Sequence, residues 1–157
     1  MSKKTNALRR LDARKVQYET VEYQYDAEDL SVEHIAAENG LPLERIFKTL
    51  VAKGDKNGVA VAVVPGHKNL GFKALAQASG NKKMTLVPVK EIQSLTGYIR
   101  GGCSPIGMKK DYPVYLDTSA LAYDVIYVNA GQRGLLVGLS PEALQQVTGA
   151  VVGEIAE

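Results

Sequence analysis

The chain has 157 residues, is 45% hydrophobic and 23% charged, and carries a net charge of +2. That length and composition predict one soluble domain over residues 1–157 with a substantial core, and the small net charge excludes wholesale coating of a nucleic acid. A single cysteine excludes an intrachain disulfide, and neither a membrane-length apolar run nor a signal-peptide core is present, so a cytoplasmic protein without a membrane partner is expected.

The first 15 residues hold Lys3, Lys4, Arg9, Arg10, Arg14 and Lys15 against one acid, Asp12. Ala7, Leu8, Leu11 and Val16 recur among them at helical spacing, which predicts an amphipathic helix over 5–16. Its basic side reads either as a solvated face or as a contact for a polyanion. Tyr18–Tyr25 alternates as a strand does. Ser31 is a good N-cap for a helix over Val32–Asn39, with Gly40 just past its end and Pro42 beyond. Ile46–Ala52 and Val59–Val64 are β-branched runs separated by Lys53-Gly54-Asp55-Lys56-Asn57-Gly58, and they should pair as a hairpin.

Asn69 is the expected cap of a helix over Phe72–Ser79 that Gly80 ends. A short helix over Val89–Leu95 follows Pro88. Val114–Leu116, Val125–Asn129 and Leu135–Leu139 read as strands, the last entered through the turn Gly131-Gln132-Arg133-Gly134. Ser140-Pro141-Glu142 combines a capping serine, proline at the first helical position and an acid at the positive end of the helix dipole. It starts a helix over Pro141–Thr148, followed by a short apolar tail. Hairpins with interspersed helices indicate α+β rather than a regular parallel sheet.

The most informative segment is Thr96–Gly107, TGYIRGGCSPIG, taken with Lys48 in RIFKTLVA. Gly101 and Gly102 lack a Cβ, so the backbone there can take positive φ or let another group approach closely. Lys48 interrupts an apolar run. It is either the outward residue of a half-buried strand or, beside exposed amides, part of an anion or carbonyl site.

Other chemistries find little support. His34 and His67 have no partner at metal-ligand spacing, so no metal and no cofactor are expected, and both read as exposed polar residues. There is no nucleophile elbow, P-loop or dinucleotide fingerprint. Ser104 has no base nearby in the sequence and precedes Pro105, which holds it extended. Cys103 beside two glycines invites a nucleophile, but a small buried apolar residue is the better reading. Tyr23 reads as a core or rim aromatic. If the chain is an enzyme, catalysis rests on positioning, electrostatics and a group on the substrate.

RIFKTLVA, the hairpin ending VAVVPG, LTGYIRGGCSPIGMKK and YDVIYVNAGQRGLLVGL resemble the YbaK family over about Ala7 to Val147. These are freestanding trans-editing deacylases related to the editing insertion of bacterial prolyl-tRNA synthetase. The resemblance implies a six-stranded, mostly antiparallel, barrel-like sheet with peripheral helices. It implies cleavage of mischarged aminoacyl-tRNA, foremost Cys-tRNA(Pro) and then Cys-tRNA(Cys), with prolyl-tRNA synthetase as a further partner. The family lysine falls on Lys48, its glycine-loop backbone on Gly101 and Gly102, and its pocket tyrosine on Tyr23. Ser104 and Arg133 belong to the same motifs and are carried over as substrate contacts.

In that family the thiol of the mischarged cysteine attacks its own ester, and Lys48 would hold the terminal ribose or phosphate. Many relatives carry an acid where this chain has Leu136, which bears on amino-acid preference. A deacylase for another small amino acid such as alanine or serine, and a non-catalytic module that binds tRNA or a synthetase, are the alternatives.

Overall fold

A hairpin of two long strands organises the fold. β2 (Phe47–Gly54) and β3 (Gly58–Pro65) pair in antiparallel register from Phe47 opposite Pro65 to Gly54 opposite Gly58. The chain is seen in a computed structural model that describes residues 4–157; of the basic N-terminal residues, Lys3 lies outside the described residues. β3 sits at the centre of a five-stranded sheet ordered β4-β2-β3-β5-β8, where β4 is Met84–Leu86, β5 is Val114–Asp117 and β8 is Val151–Gly153. Ala60–Val64 of β3 are buried on both faces, which is why this segment reads as a continuous apolar run without alternation. Each fully buried valine there contributes on the order of 1.5–3 kcal/mol.

The second sheet has three strands in the order β1-β7-β6, with β1 at Glu19–Glu22, β7 at Leu135–Leu139 and β6 at Ile126–Gln132. An isolated bridge between Ile46 and Tyr127 joins the two sheets. The architecture is thus mixed α+β in one domain. The six-stranded barrel-like sheet is replaced by eight strands in a three-stranded and a five-stranded sheet, and no closed ring forms among the described residues. β3–β5 and β5–β8 are parallel, and the remaining pairings are antiparallel.

Among the described residues five α-helices surround the sheets: α1 (Asn6–Ala13), α2 (Val32–Asn39), α3 (Phe72–Ser79), α4 (Val89–Thr96) and α5 (Pro141–Thr148). The hydroxyls of Ser31 and Ser140 cap α2 and α5 by accepting the N–H of His34 and Ala143. α1 is shorter than its sequence period suggests. Lys15 at φ +56° turns the chain after Arg14, and Val16 N–H donates back to Leu11. The cap of α3 is Gly71, not Asn69. Asn69 is instead tied to the chain end, exchanging main-chain hydrogen bonds with Glu157 at 2.9 and 2.8 Å.

Asp117 secures the same tail. Its Oδ1 accepts from Ile155 and Ala156 N–H at 3.0 and 2.9 Å, while Oδ2 accepts from Ser119. Burial alone would raise its pKa, but these hydrogen bonds outweigh burial and hold the carboxyl below its ordinary value. No helix among the described residues is long and apolar enough to cross a membrane.

Candidate active site

Between the two sheets lies a cavity of about 540 Å³. Its wall includes Lys48, Thr49 and Val51 of β2, Tyr23, Gly101, Cys103 and Asn129. Leu86, Val87 and Ile92 supply an apolar side, and Ser31, Val32 and Glu33 bring the start of α2 to the rim.

The sequence-designated residues divide in space. Lys48, Gly101 and Tyr23 line the cavity; Gly102, Ser104 and Arg133 do not. The half-buried Lys48 donates from Nζ to the Lys68 carbonyl at 2.6 Å, so its ammonium is held at the surface end of the cavity by a single neutral acceptor. Tyr23 is buried, and burial pushes its phenol above the ordinary value, keeping it neutral at neutral pH.

The glycine pair has two jobs. Gly102 N–H donates to the Ile99 carbonyl at 2.9 Å, closing a turn in which Gly101 takes φ +82°. A type II turn requires positive φ at that third position. A Cβ on Gly102 would stand 3.1 Å from Gln132 Cα and Arg133 N, so its missing side chain lets the loop pack against the β6–β7 turn. Gly102 N–H is therefore already engaged, whereas Gly101 stands on the cavity wall.

Arg133 supports this turn from outside by donating from Nε to the Arg100 carbonyl at 2.9 Å. Ser104 is fully buried, and its Oγ accepts from Ile106 N–H at 3.2 Å, a local turn contact.

Asn129 is a site residue that the sequence reasoning missed. Its Nδ2 donates to the Gly101 carbonyl at 2.9 Å and to the Tyr23 hydroxyl at 3.4 Å. Its Oδ1 accepts from Gly131 and Gln132 N–H at 2.7 and 3.1 Å, which stabilises the irregularity in β6 between Asn129 and Gln132. An asparagine inside a β-branched run is the signal that could have found it.

The Cys103 thiol is pushed up to about 11 by burial, despite a contact with Thr96 Oγ1 at 4.0 Å. It is neutral at neutral pH and a poor nucleophile. Neither His34 nor His67 lines the cavity, and its one carboxylate, Glu33, is exposed at the rim. Among the described residues no three histidine, cysteine, aspartate or glutamate side chains gather as a metal site would require. The wall can therefore orient a ligand and place a cation and main chain near it. It offers no paired base and nucleophile.

Residues 27–147 match the aminoacyl-tRNA editing domain. The chain belongs to this family. Across 152 residues this editing domain is 48% identical to EbsC of Enterococcus faecalis, provisionally named a Cys-tRNA(Pro)/Cys-tRNA(Cys) deacylase, covering 97% of this chain and 93% of EbsC. Over 91 residues it is 32% identical to the proline–tRNA ligase of Thermosipho africanus; that match covers 58% of this chain and 16% of the ligase. A crystal structure described provisionally as a trans-editing enzyme for prolyl tRNA synthetase superposes with a TM-score of 0.81 at 26% identity, covering 99% of each chain. The editing domain thus spans nearly the full length of a freestanding relative and a small part of a synthetase.

Proposed function

We propose that the protein clears mischarged aminoacyl-tRNA, with Cys-tRNA(Pro) as its foremost substrate and Cys-tRNA(Cys) next. One observation carries the mechanism: the cavity joins a lysine and a held glycine turn to a neutral thiol, without a histidine in its wall among the described residues. Such a site positions an ester but does not generate a nucleophile.

The reacting sulfur then comes from the substrate. The cysteinyl thiol attacks its own ester carbonyl, an S–C bond forms, and the C–O bond to the terminal ribose breaks. The leaving ribose oxygen ends with the proton that the thiol gave up. The products are tRNA with a free terminal hydroxyl and a cyclic thiolactone. Lys48 holds the terminal ribose or phosphate, and the main chain at Gly101 lies where negative charge develops. Tyr23 lines the wall beside Gly101, where Asn129 bridges the two. Gly102 and Arg133 hold the glycine turn and Ser104 a local turn beside it, rather than the substrate.

Selectivity has two sources in this reading. The cavity limits side-chain size, which discriminates by only about 1–3 kcal/mol per methylene, and the substrate must carry an attacking group. Leu136 favours a second version. It is buried and lines the cavity, so this part of the wall is apolar and could suit alanine. Prolyl-tRNA synthetase is the proposed partner that would keep tRNA(Pro) near a weakly charged domain.

Rates on tRNA(Pro) carrying cysteine, alanine, serine or proline test the reading. Fastest release from the cysteinyl species supports it. Faster alanine or serine release transfers the function to the second version. Binding of all four without turnover identifies a non-catalytic module.

A further inference from the structure

The outer edge of β2 carries a polar group that the mechanism leaves unused. The Thr49 hydroxyl oxygen is buried and has no hydrogen-bond partner among the described residues. An unpaired buried hydroxyl lowers stability, so its presence in a cavity wall calls for a reason.

Its surroundings supply one. Ile46 O accepts from Gly66 N–H at 2.7 Å on the β3 side, and Val51 O accepts from Val87 N–H at 3.0 Å on the other. Hydrogen-bonding direction alternates along an antiparallel strand, so odd-numbered residues of β2 present their main-chain groups at the outer edge. That edge is covered by the bridge to Tyr127 at Ile46 and by β4 from Ala52 onward. Thr49 lies in the gap, with its N–H and C=O unclaimed by any strand among the described residues, beside its unpaired hydroxyl.

Lys48 and Thr49 both line the cavity, although successive strand side chains leave opposite faces. The cavity therefore straddles the strand edge. Phe47 and Val51 share the face of Thr49, and they belong to the core cluster against which Cys103 packs. A substrate laid across the edge puts its ribose end at Lys48 and its acyl end on the Thr49 side.

We propose that Thr49 receives the amino group of the aminoacyl ester, with its hydroxyl and main-chain carbonyl oxygens as acceptors; this rests on the deacylase reading above. An ammonium brings three donors and needs oxygens. Glu33 is exposed at the rim, and Asn129 Oδ1 already serves two main-chain N–H groups. The Tyr23 hydroxyl already receives Asn129. Ser31 and Asn69 also bring side-chain oxygens to the wall, but both residues are exposed at its rim and Ser31 Oγ already accepts His34 N–H. Thr49 is the buried, unpartnered side-chain oxygen of the wall. The hydroxyl oxygen is shielded in the free protein, and a turn of about 120° about χ1 carries it to the place held by the methyl or the hydrogen, which is an ordinary rotamer change.

The test compares Cys-tRNA(Pro) with tRNA(Pro) carrying 3-mercaptopropionate, which keeps the thiol and ester but lacks the amino group. Thr49→Val, nearly isosteric, should lose roughly tenfold to hundredfold in kcat/KM on the cysteinyl substrate and little on the other. Its melting midpoint should hold or rise, because an unpaired buried hydroxyl has been removed. Thr49→Ser should stay near wild type. Unchanged cysteinyl turnover in Thr49→Val, or equal losses on both substrates, overturns the assignment while the deacylase reading stands. A wild-type protein that leaves both esters intact overturns the deacylase reading and the Thr49 assignment with it.

Discussion

The Asn129 side-chain amide donates to the Gly101 carbonyl at 2.9 Å, so an irregularity in β6 holds the glycine turn against the cavity. The two ends of this side chain are separable. Asn129→Ala leaves the Gly131 and Gln132 N–H groups without their acceptor and should lower unfolding free energy by about 1–3 kcal/mol. Asn129→Asp keeps an acceptor but replaces the donor facing Gly101, so most stability should survive while deacylation falls. Urea unfolding and Cys-tRNA(Pro) turnover on both variants check this.

The Lys48 ammonium makes one hydrogen bond among the described residues, to the carbonyl of the exposed Lys68. Its loss should cost the fold less than about 1 kcal/mol. Activity should fall roughly a hundredfold or more in Lys48→Ala, because the wall loses its ammonium and keeps only Arg100 as a cation among the described residues. Circular dichroism melting with single-turnover deacylation separates the two effects.

The adjacent glycines should respond differently to alanine. At Gly102 a Cβ meets Gln132 and Arg133 main chain at 3.1 Å, which cannot swing aside. At Gly101 it meets Leu30 Cδ1 at 2.9 Å, the end of a flexible side chain, but φ is +82°. Gly102→Ala should displace the loop and reduce activity through a distorted turn. Gly101→Ala should cost about 1–2 kcal/mol from backbone strain. Thermal melts and NMR shifts of the Arg133 region distinguish them.

Much of this was legible in the chain. The caps at Ser31 and Ser140 specify α2 and α5 because a short hydroxyl beside an apolar-periodic run has few other uses. The β2–β3 hairpin was equally clear from two β-branched runs around a turn. β4 and β8 were not, since three-residue strands carry too little periodicity and form only where a neighbour offers an edge. Asn69 looked like a cap, but the returning C-terminus claimed its main chain, a contact separated by 88 positions of sequence. In the site, Lys48 and the glycine pair stood out by residue type. That Gly101 both turns the chain and lines the cavity, while Gly102 packs against Gln132, depended on the tertiary fold. Thr49 was hidden because its importance lies in a gap between two distant strands.

The Cys103 thiol, pushed up to about 11, leaves only about one molecule in a thousand as thiolate at pH 8. Cys103→Ser should therefore keep near-normal activity, and iodoacetamide should label the native thiol slowly. A raised pKa favours the protonated native state, so its stabilisation is present below pH 9 and lost between pH 9 and about 11. Tyr98, raised from 10 to about 12, extends the loss upward. Unfolding curves from pH 8 to pH 11 should decline less steeply in Cys103→Ser than in wild type. Identical slopes would contradict the assignment.

The most direct test is the first product released from Cys-tRNA(Pro) in a single turnover, quenched in acid and identified by mass. Intramolecular attack predicts cysteine thiolactone, appearing in step with uncharged tRNA and at unchanged rate in Cys103→Ser. Free cysteine formed from the earliest times, with no thiolactone preceding it, would show that water or the protein attacks the ester and would contradict the account.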